Sequence, residues 1–224
     1  RTTSAEVAFR TKGLRTWRRP TAKAHCLSNL LEFNLRLIAE ILAETEVEWC
    51  LIGGLADLLG LSRGLHEILP YSYRSYDDKA AESLVRVLHG RGWQTISVLE
   101  QEATGRLATV RFLSPAAGEA KASTDLLFCS SGIEVETVEQ SEAIEVFPGF
   151  TVPVARTPHL LAMKVLAANE RDRPQDIADI QSLLRESSPE DRKTTDQLLS
   201  LIERRGTNRG KALREEFSAF HQGF

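Results

Sequence analysis

Two glycines at the end of a β-rich run are the first residues in this chain whose type and spacing point to chemistry. Val47-Glu48-Trp49-Cys50-Leu51-Ile52 reads as a buried strand, and it stops at Gly53-Gly54 before Leu55–Leu61, a short helical stretch. Glycines placed between a strand and a helix start let backbone N–H groups approach a phosphate, and the helix dipole favours the anion there. The plainer alternative is a simple turn. Other residues of interest carry charge. Asp125 opens the apolar run Leu126-Leu127-Phe128, where it can equally be a turn residue at a strand edge. Lys164 lies on an amphipathic helix, where lysines commonly snorkel to the surface. Asp176 and Asp179 stand three apart on one helix face, within reach of Arg171 or Arg173.

The elements that must position these residues follow from periodicity. Leu30, Leu31, Phe33, Leu35, Leu37, Ile38, Ile41 and Leu42 form an apolar stripe at helical spacing from Leu27 to Thr45, with Ser28 as a candidate N-cap. Residues 63–76 have no clear period and contain Pro70. An amphipathic helix resumes at Asp77 and closes at Gly90 and Gly92. Trp93–Leu99, Arg106–Leu113 and Ser123–Cys129 read as strands, and Val135–Ala143 as helical. Ile144–Phe147 and Phe150–Val154 are strands flanking Pro148-Gly149. Leu160–Glu170, Gln175–Arg185, Pro189–Arg204 and Gly210–His221 are helical, with Pro158, Pro174 and Pro189 at first-turn positions that need no N–H. The plan is α+β: a small mixed β-sheet with helices, followed by a helical C-terminal part. The expected divisions are a basic disordered tail over 1–25, an α+β domain over 26–156 and a helical region over 157–224.

Composition narrows the function classes. The net charge of −3 and a charged content of 26% are ordinary for a soluble domain and argue against a nucleic-acid coat or membrane-surface protein. Residues 1–23 hold seven Arg or Lys against Glu6 alone, which reads as a solvated tail. Cys26, Cys50 and Cys129 are odd in number and far apart, which excludes a zinc or disulfide framework; Cys50 and Cys129 read as core residues. With no apolar run of membrane-spanning length and no secretory leader pattern, the expected location is cytoplasmic.

The order of the pieces carries more than any one of them. The strand ending at Gly53-Gly54, the Thr124-Asp125-Leu126-Leu127-Phe128 strand, Pro148-Gly149 with Val152-Pro153-Val154, the Leu160-Leu161-Ala162-Met163-Lys164 helix and the Arg171…Asp176…Asp179 run follow one another. Together they resemble the AbiEii-type and minimal nucleotidyltransferases of the DNA polymerase β-like superfamily, over roughly residues 47–185. The resemblance implies a nucleotidyltransferase-like fold and transfer of a nucleotidyl group from a nucleoside triphosphate to an RNA or protein hydroxyl. It also implies two Mg²⁺ ions, a toxin–antitoxin role and a cognate antitoxin. By motif position Gly53 and Gly54 match the phosphate-holding turn, and Asp125 matches the third, catalytic and metal-binding carboxylate. Lys164, Arg171, Asp176 and Asp179 match the helical motif that shapes the nucleotide side of the cleft.

One part of the pattern is missing. Counted from Gly53, the paired carboxylates of such a site fall near Ile68 and Pro70, and neither side chain can ligate a metal. Glu67 is adjacent but is expected on the other face, because strand side chains alternate. Asp77 and Asp78 lie too far on. Two Mg²⁺ ions then have too few anionic oxygens, and transfer is expected to be lost or very slow. Reading the codons of Gly64–Leu69 back by one base can spell Arg-Thr-Thr-Arg-Asp-Ile, the family's usual lead-in, with Asp at the place of Ile68. A local frameshift bounded near residues 63 and 77 is therefore a hypothesis; codons across 60–80 that cannot encode the alternative frame remove it. The alternative function is a catalytically inactive relative that binds a nucleotide or a partner.

Overall fold

The computed structural model describes residues 22–52, 65–71, 78–100, 106–115, 122–128, 132–168 and 174–221. Seven strands form one mixed sheet: β1 Glu48–Leu51, β2 Leu65–Tyr71, β3 Gln94–Glu100, β4 Leu107–Leu113, β5 Ser123–Leu127, β6 Glu142–Phe147 and β7 Phe150–Val154. Their spatial order is β3-β4-β5-β2-β1-β7-β6. The β2/β5 and β1/β7 neighbours are parallel and the other four pairs antiparallel. Helices among the described residues are α1 Ala22–Glu44, α2 Asp78–Gly90, α3 Glu134–Glu139, α4 Thr157–Ala167, α5 Pro174–Glu186, α6 Pro189–Arg204 and α7 Leu213–His221. This is the mixed α+β plan that the periodicity predicts.

Period-2 alternation divides the sheet's side chains between two cores. On one face Leu51, Val110, Phe112, Leu126, Val152 and Val154 pack with Leu35, Ile38, Ile41 and Leu42 of α1 and with Leu84 and Leu88 of α2. Trp93 meets Phe112 edge-on, with ring centroids 6.4 Å apart. On the other face Cys50, Ile52 and Ala155 pack with Val138 of α3. The helices α4–α7 close a separate core around Leu161, Val165, Leu166, Ile180, Leu184, Leu199, Ile202 and Leu213. Full burial of each such side chain contributes about 1.5–3 kcal/mol, so the tertiary faces outweigh local propensity wherever the two disagree.

Three elements differ from the sequence reading. The first helix begins at Ala22 rather than Leu27, so Ser28 lies inside the helix and not at its N-cap position. Good helix formers in Ala22-Lys23-Ala24 extend it N-terminally. Residues read as patternless contain β2, which runs between β5 and β1. Pro70 is tolerated there because the pairing with β5 covers only Leu65–Ile68, leaving Pro70 opposite Trp49 alone. The helix read over Val135–Ala143 stops at Glu139, where the Ser141 hydroxyl donates to the Val138 carbonyl at 2.7 Å. Glu142 and Ala143 then join β6, opposite Val154 and Pro153. The β6–β7 hairpin closes on Pro148-Gly149, with Gly149 at φ 70°, the positive value a Pro-Gly turn requires.

Helix α6 starts with a complete capping box. The Ser188 hydroxyl accepts from the Asp191 N–H, the Asp191 carboxylate accepts from the Ser188 N–H, and Pro189 occupies the first turn. Hydrogen bonds from Ser188 hold the Asp191 carboxyl below its ordinary range. Ser188→Ala is expected to lower stability by about 1 kcal/mol in urea denaturation; an unchanged midpoint argues that the cap contributes nothing.

Candidate functional site

Asp125 stands in the middle of β5, in a row of register positions that crosses three adjacent strands. Arg111 of β4 lies directly opposite it on one side, and Glu67 of β2 on the other. Residues paired across neighbouring strands share a face of the pleat. Arg111 uses this proximity fully: Nε donates to Asp125 Oδ1 at 2.7 Å and Nη2 donates to Oδ2 at 2.6 Å. The pair is lopsided in exposure, since the Asp125 side chain is 7% exposed and that of Arg111 is 42% exposed. Thr124, the preceding residue, faces the opposite core, where Asn34 Nδ2 donates to its hydroxyl at 2.6 Å.

The pairing of β2 sets which of its residues stand beside Asp125. Positions 65, 67 and 69 share the face of Asp125, whereas Ile68 pairs with Leu126 and so belongs to the other face. Counting along the chain cannot see this, because the register is set by which strand β2 pairs with.

Lys164, Asp176 and Asp179 come together. Lys164 Nζ lies 3.2 Å from Asp176 Oδ1 and 2.9 Å from Asp179 Oδ2, which joins α4 to α5 through charge. Asp176 is buried, and Lys164 is partly buried. Lys164 is thus a partner of both acids, while Arg171 and Arg173, weighed as their partners, lie outside the described residues. Asp125 bonds to Arg111 and not to Lys164, so the candidates form two separate ion clusters. Gly53, Gly54 and Arg171, together with the helix read over Leu55–Leu61, lie outside the described residues.

A small apolar cluster sets these pieces around one side of the sheet. Ile52, which precedes Gly53, is buried in it beside Cys50, Val138 and Ala155. Leu127, two residues past Asp125 on the same face, packs against the cluster, as does Met163, which precedes Lys164. Three of the chain segments that carry candidate residues therefore have an anchor in one cluster. Burial pushes the Cys50 thiol up to about 12, and its Sγ donates weakly to the Thr137 carbonyl, so this cysteine is an inert part of the wall. A cavity of about 550 Å³ lined by Val47, Glu48, Trp49, Val138, Glu139 and Pro153 opens at the other end of β1 and holds none of the candidates.

The residues present do not fit a pair of Mg²⁺ ions. Both oxygens of Asp125 are engaged by a guanidinium, so a divalent cation there meets a fixed positive charge. Neither Ile68 nor Pro70 can supply a carboxylate, and among the described residues no three His, Cys, Asp or Glu side chains gather into a metal-holding group. Sequence reasoning missed Arg111. Its signal was available, as a lone charge within the otherwise uncharged Leu107–Leu113 run, but its partner is visible only through the β4/β5 register.

The fold and this constellation agree with what the chain matches. The family described as nucleotidyl transferase AbiEii toxin, type IV TA system, matches residues 61–223. The chain belongs to the AbiEii nucleotidyltransferase toxin family. Its fold is shared with an antigenic nucleotidyltransferase-like protein from Paracoccidioides brasiliensis, known from a crystal structure. The likeness has a TM-score of 0.50 at 15% identity and covers 86% of this chain and 94% of that one. No curated protein matches. The AbiEii match begins before β2 and runs through α7, so it takes in both ion clusters. No helix among the described residues is long and apolar enough to cross a membrane.

Proposed function

We propose that this AbiEii-family chain binds a nucleoside triphosphate between the Asp125 face of the sheet and helices α4 and α5. We further propose that its Mg²⁺-dependent transfer to an RNA or protein hydroxyl is impaired. The observation that carries the second part is the bidentate Arg111–Asp125 pair, which occupies the carboxylate the chemistry would need. Support for the first part comes from Lys164, a cation fixed at the helical wall by two carboxylates. Gly53 and Gly54 are the proposed phosphate-facing backbone, and Arg171 a second cation. Lys164 is already engaged by Asp176 and Asp179, so its contribution to binding a triphosphate, and the binding itself, is expected to be weak.

A second reading keeps the transfer activity, and the register favours it to one extent: Glu67 lies opposite Asp125 and could contribute a second carboxylate. The acceptor under either reading is an RNA or protein hydroxyl, and a cognate antitoxin is the proposed partner.

Calorimetric titration with ATP, GTP, CTP and UTP, with and without Mg²⁺, combined with a labelled-nucleotide transfer assay, separates the readings. Weak binding without transfer is the expected result. Mg²⁺-dependent transfer supports the second reading, and no binding by any nucleotide removes the first. Lys164→Ala is expected to weaken binding about tenfold by deleting a charge-assisted contact; an unchanged affinity overturns the assignment of Lys164.

A further inference from the structure

We infer that Arg111 is a resident counter-cation that closes Asp125 to divalent metal, and that removing the arginine's charge opens a metal site there. This deepens the proposed impairment of transfer and rests on the cleft assigned above. Arg111, Asp125 and Glu67 occupy one row of paired positions across β4, β5 and β2, so a single positive residue flanks the two acidic ones. The guanidinium meets both oxygens of Asp125 at 2.6 and 2.7 Å, the two-point geometry that an arginine forms with a carboxylate and a lysine cannot. Asp125 is nearly enclosed, so the pair operates where water screens it poorly. A divalent ion must either displace the arginine or sit beside it, and neither is favourable.

The arrangement does not need the arginine for the strand to form. Thr124 is tied to Asn34 on the opposite face, and Leu126 is buried in the main core, so β5 is fixed from the side that Asp125 does not face. The ion pair therefore acts on Asp125's chemistry more than on the position of its backbone.

The test is Mn²⁺ binding to the full chain without nucleotide, followed by the loss of the free-ion electron paramagnetic resonance signal. Arg111→Gln is expected to bind one Mn²⁺ at least about tenfold more tightly than the wild type, and to gain thermal stability when Mn²⁺ is added. The double variant Arg111→Gln with Asp125→Asn is expected to lose both gains. Arg111→Lys keeps the charge without the two-point contact, and provides an intermediate affinity even if the glutamine variant folds poorly. Equal Mn²⁺ binding in wild type, Arg111→Gln and Arg111→Lys overturns the inference, as does a gain that survives Asp125→Asn. If the gain appears but no nucleotide binds any form, the nucleotide reading fails and the role of Arg111 stands. If nucleotide binds but no metal site opens, the reverse holds.

Discussion

Arg111→Leu is expected to lower the stability of the chain by about 3 kcal/mol, and Asp125→Leu by only about 1 kcal/mol. The asymmetry comes from exposure. Deleting the arginine strands a carboxylate whose side chain is 7% exposed, and that charge has lost both its partner and most of its water. Deleting the aspartate leaves an arginine that is 42% exposed and can turn toward solvent, so little desolvation is left uncompensated. Along β5 the next residue on the Asp125 side is Leu127, which packs against an apolar cluster and offers the carboxylate no replacement partner. The double variant, leucine at both positions, is therefore expected to recover most of the loss, because it leaves no unpaired charge. Urea denaturation followed by tryptophan fluorescence measures all three. A larger loss in Asp125→Leu than in Arg111→Leu would mean that the pair is held by something other than the burial of the acid.

The second large effect belongs to His159, in the first turn of α4. It is fully buried, and neither ring nitrogen has a hydrogen-bond partner. Burial lowers its pKa to about 4, helped by the charge of Arg156 and opposed by that of Glu136. Glu136 is itself pushed up by burial, but hydrogen bonds from Arg205 bring its carboxyl below the ordinary range. Since the folded-state value of the histidine lies below the unfolded one of 6.5, the unfolded chain takes up the proton first as the pH falls. Stability should therefore drop through the window from about 6.5 to about 4, by about 3 kcal/mol in all. His159→Leu is expected to flatten this part of the profile, and to raise stability at pH 7 by about 1 kcal/mol by removing two unpartnered polar atoms. Comparing the two proteins at each pH cancels the contribution of the carboxylates they share. Parallel profiles for wild type and variant would show that the imidazole is charged, or solvated, in the folded state.

Much of the architecture was legible from local pattern. The limits of β7 and α6 follow from alternation and from the Pro189 first turn, and they match the structure residue for residue. Lys164, Asp176 and Asp179 were grouped through the helical motif of the family the chain resembles, although their mutual ion pairs were not legible. The strand at 65–71 was hidden, because Pro70 and the absence of alternation mask it, and only pairing with β1 and β5 defines it.

By itself, then, the chain's pattern of apolar and charged residues determined the α+β class and most of the elements, because periods of two and 3.6 residues are local. The candidates for chemistry came from the order of motifs that the chain shares with the family it resembles. What stands opposite Asp125 was decided by tertiary structure alone. Strand register brings Arg111, fourteen residues earlier, and Glu67, on a separate strand, into one row with it, and no spacing along the chain encodes that contact.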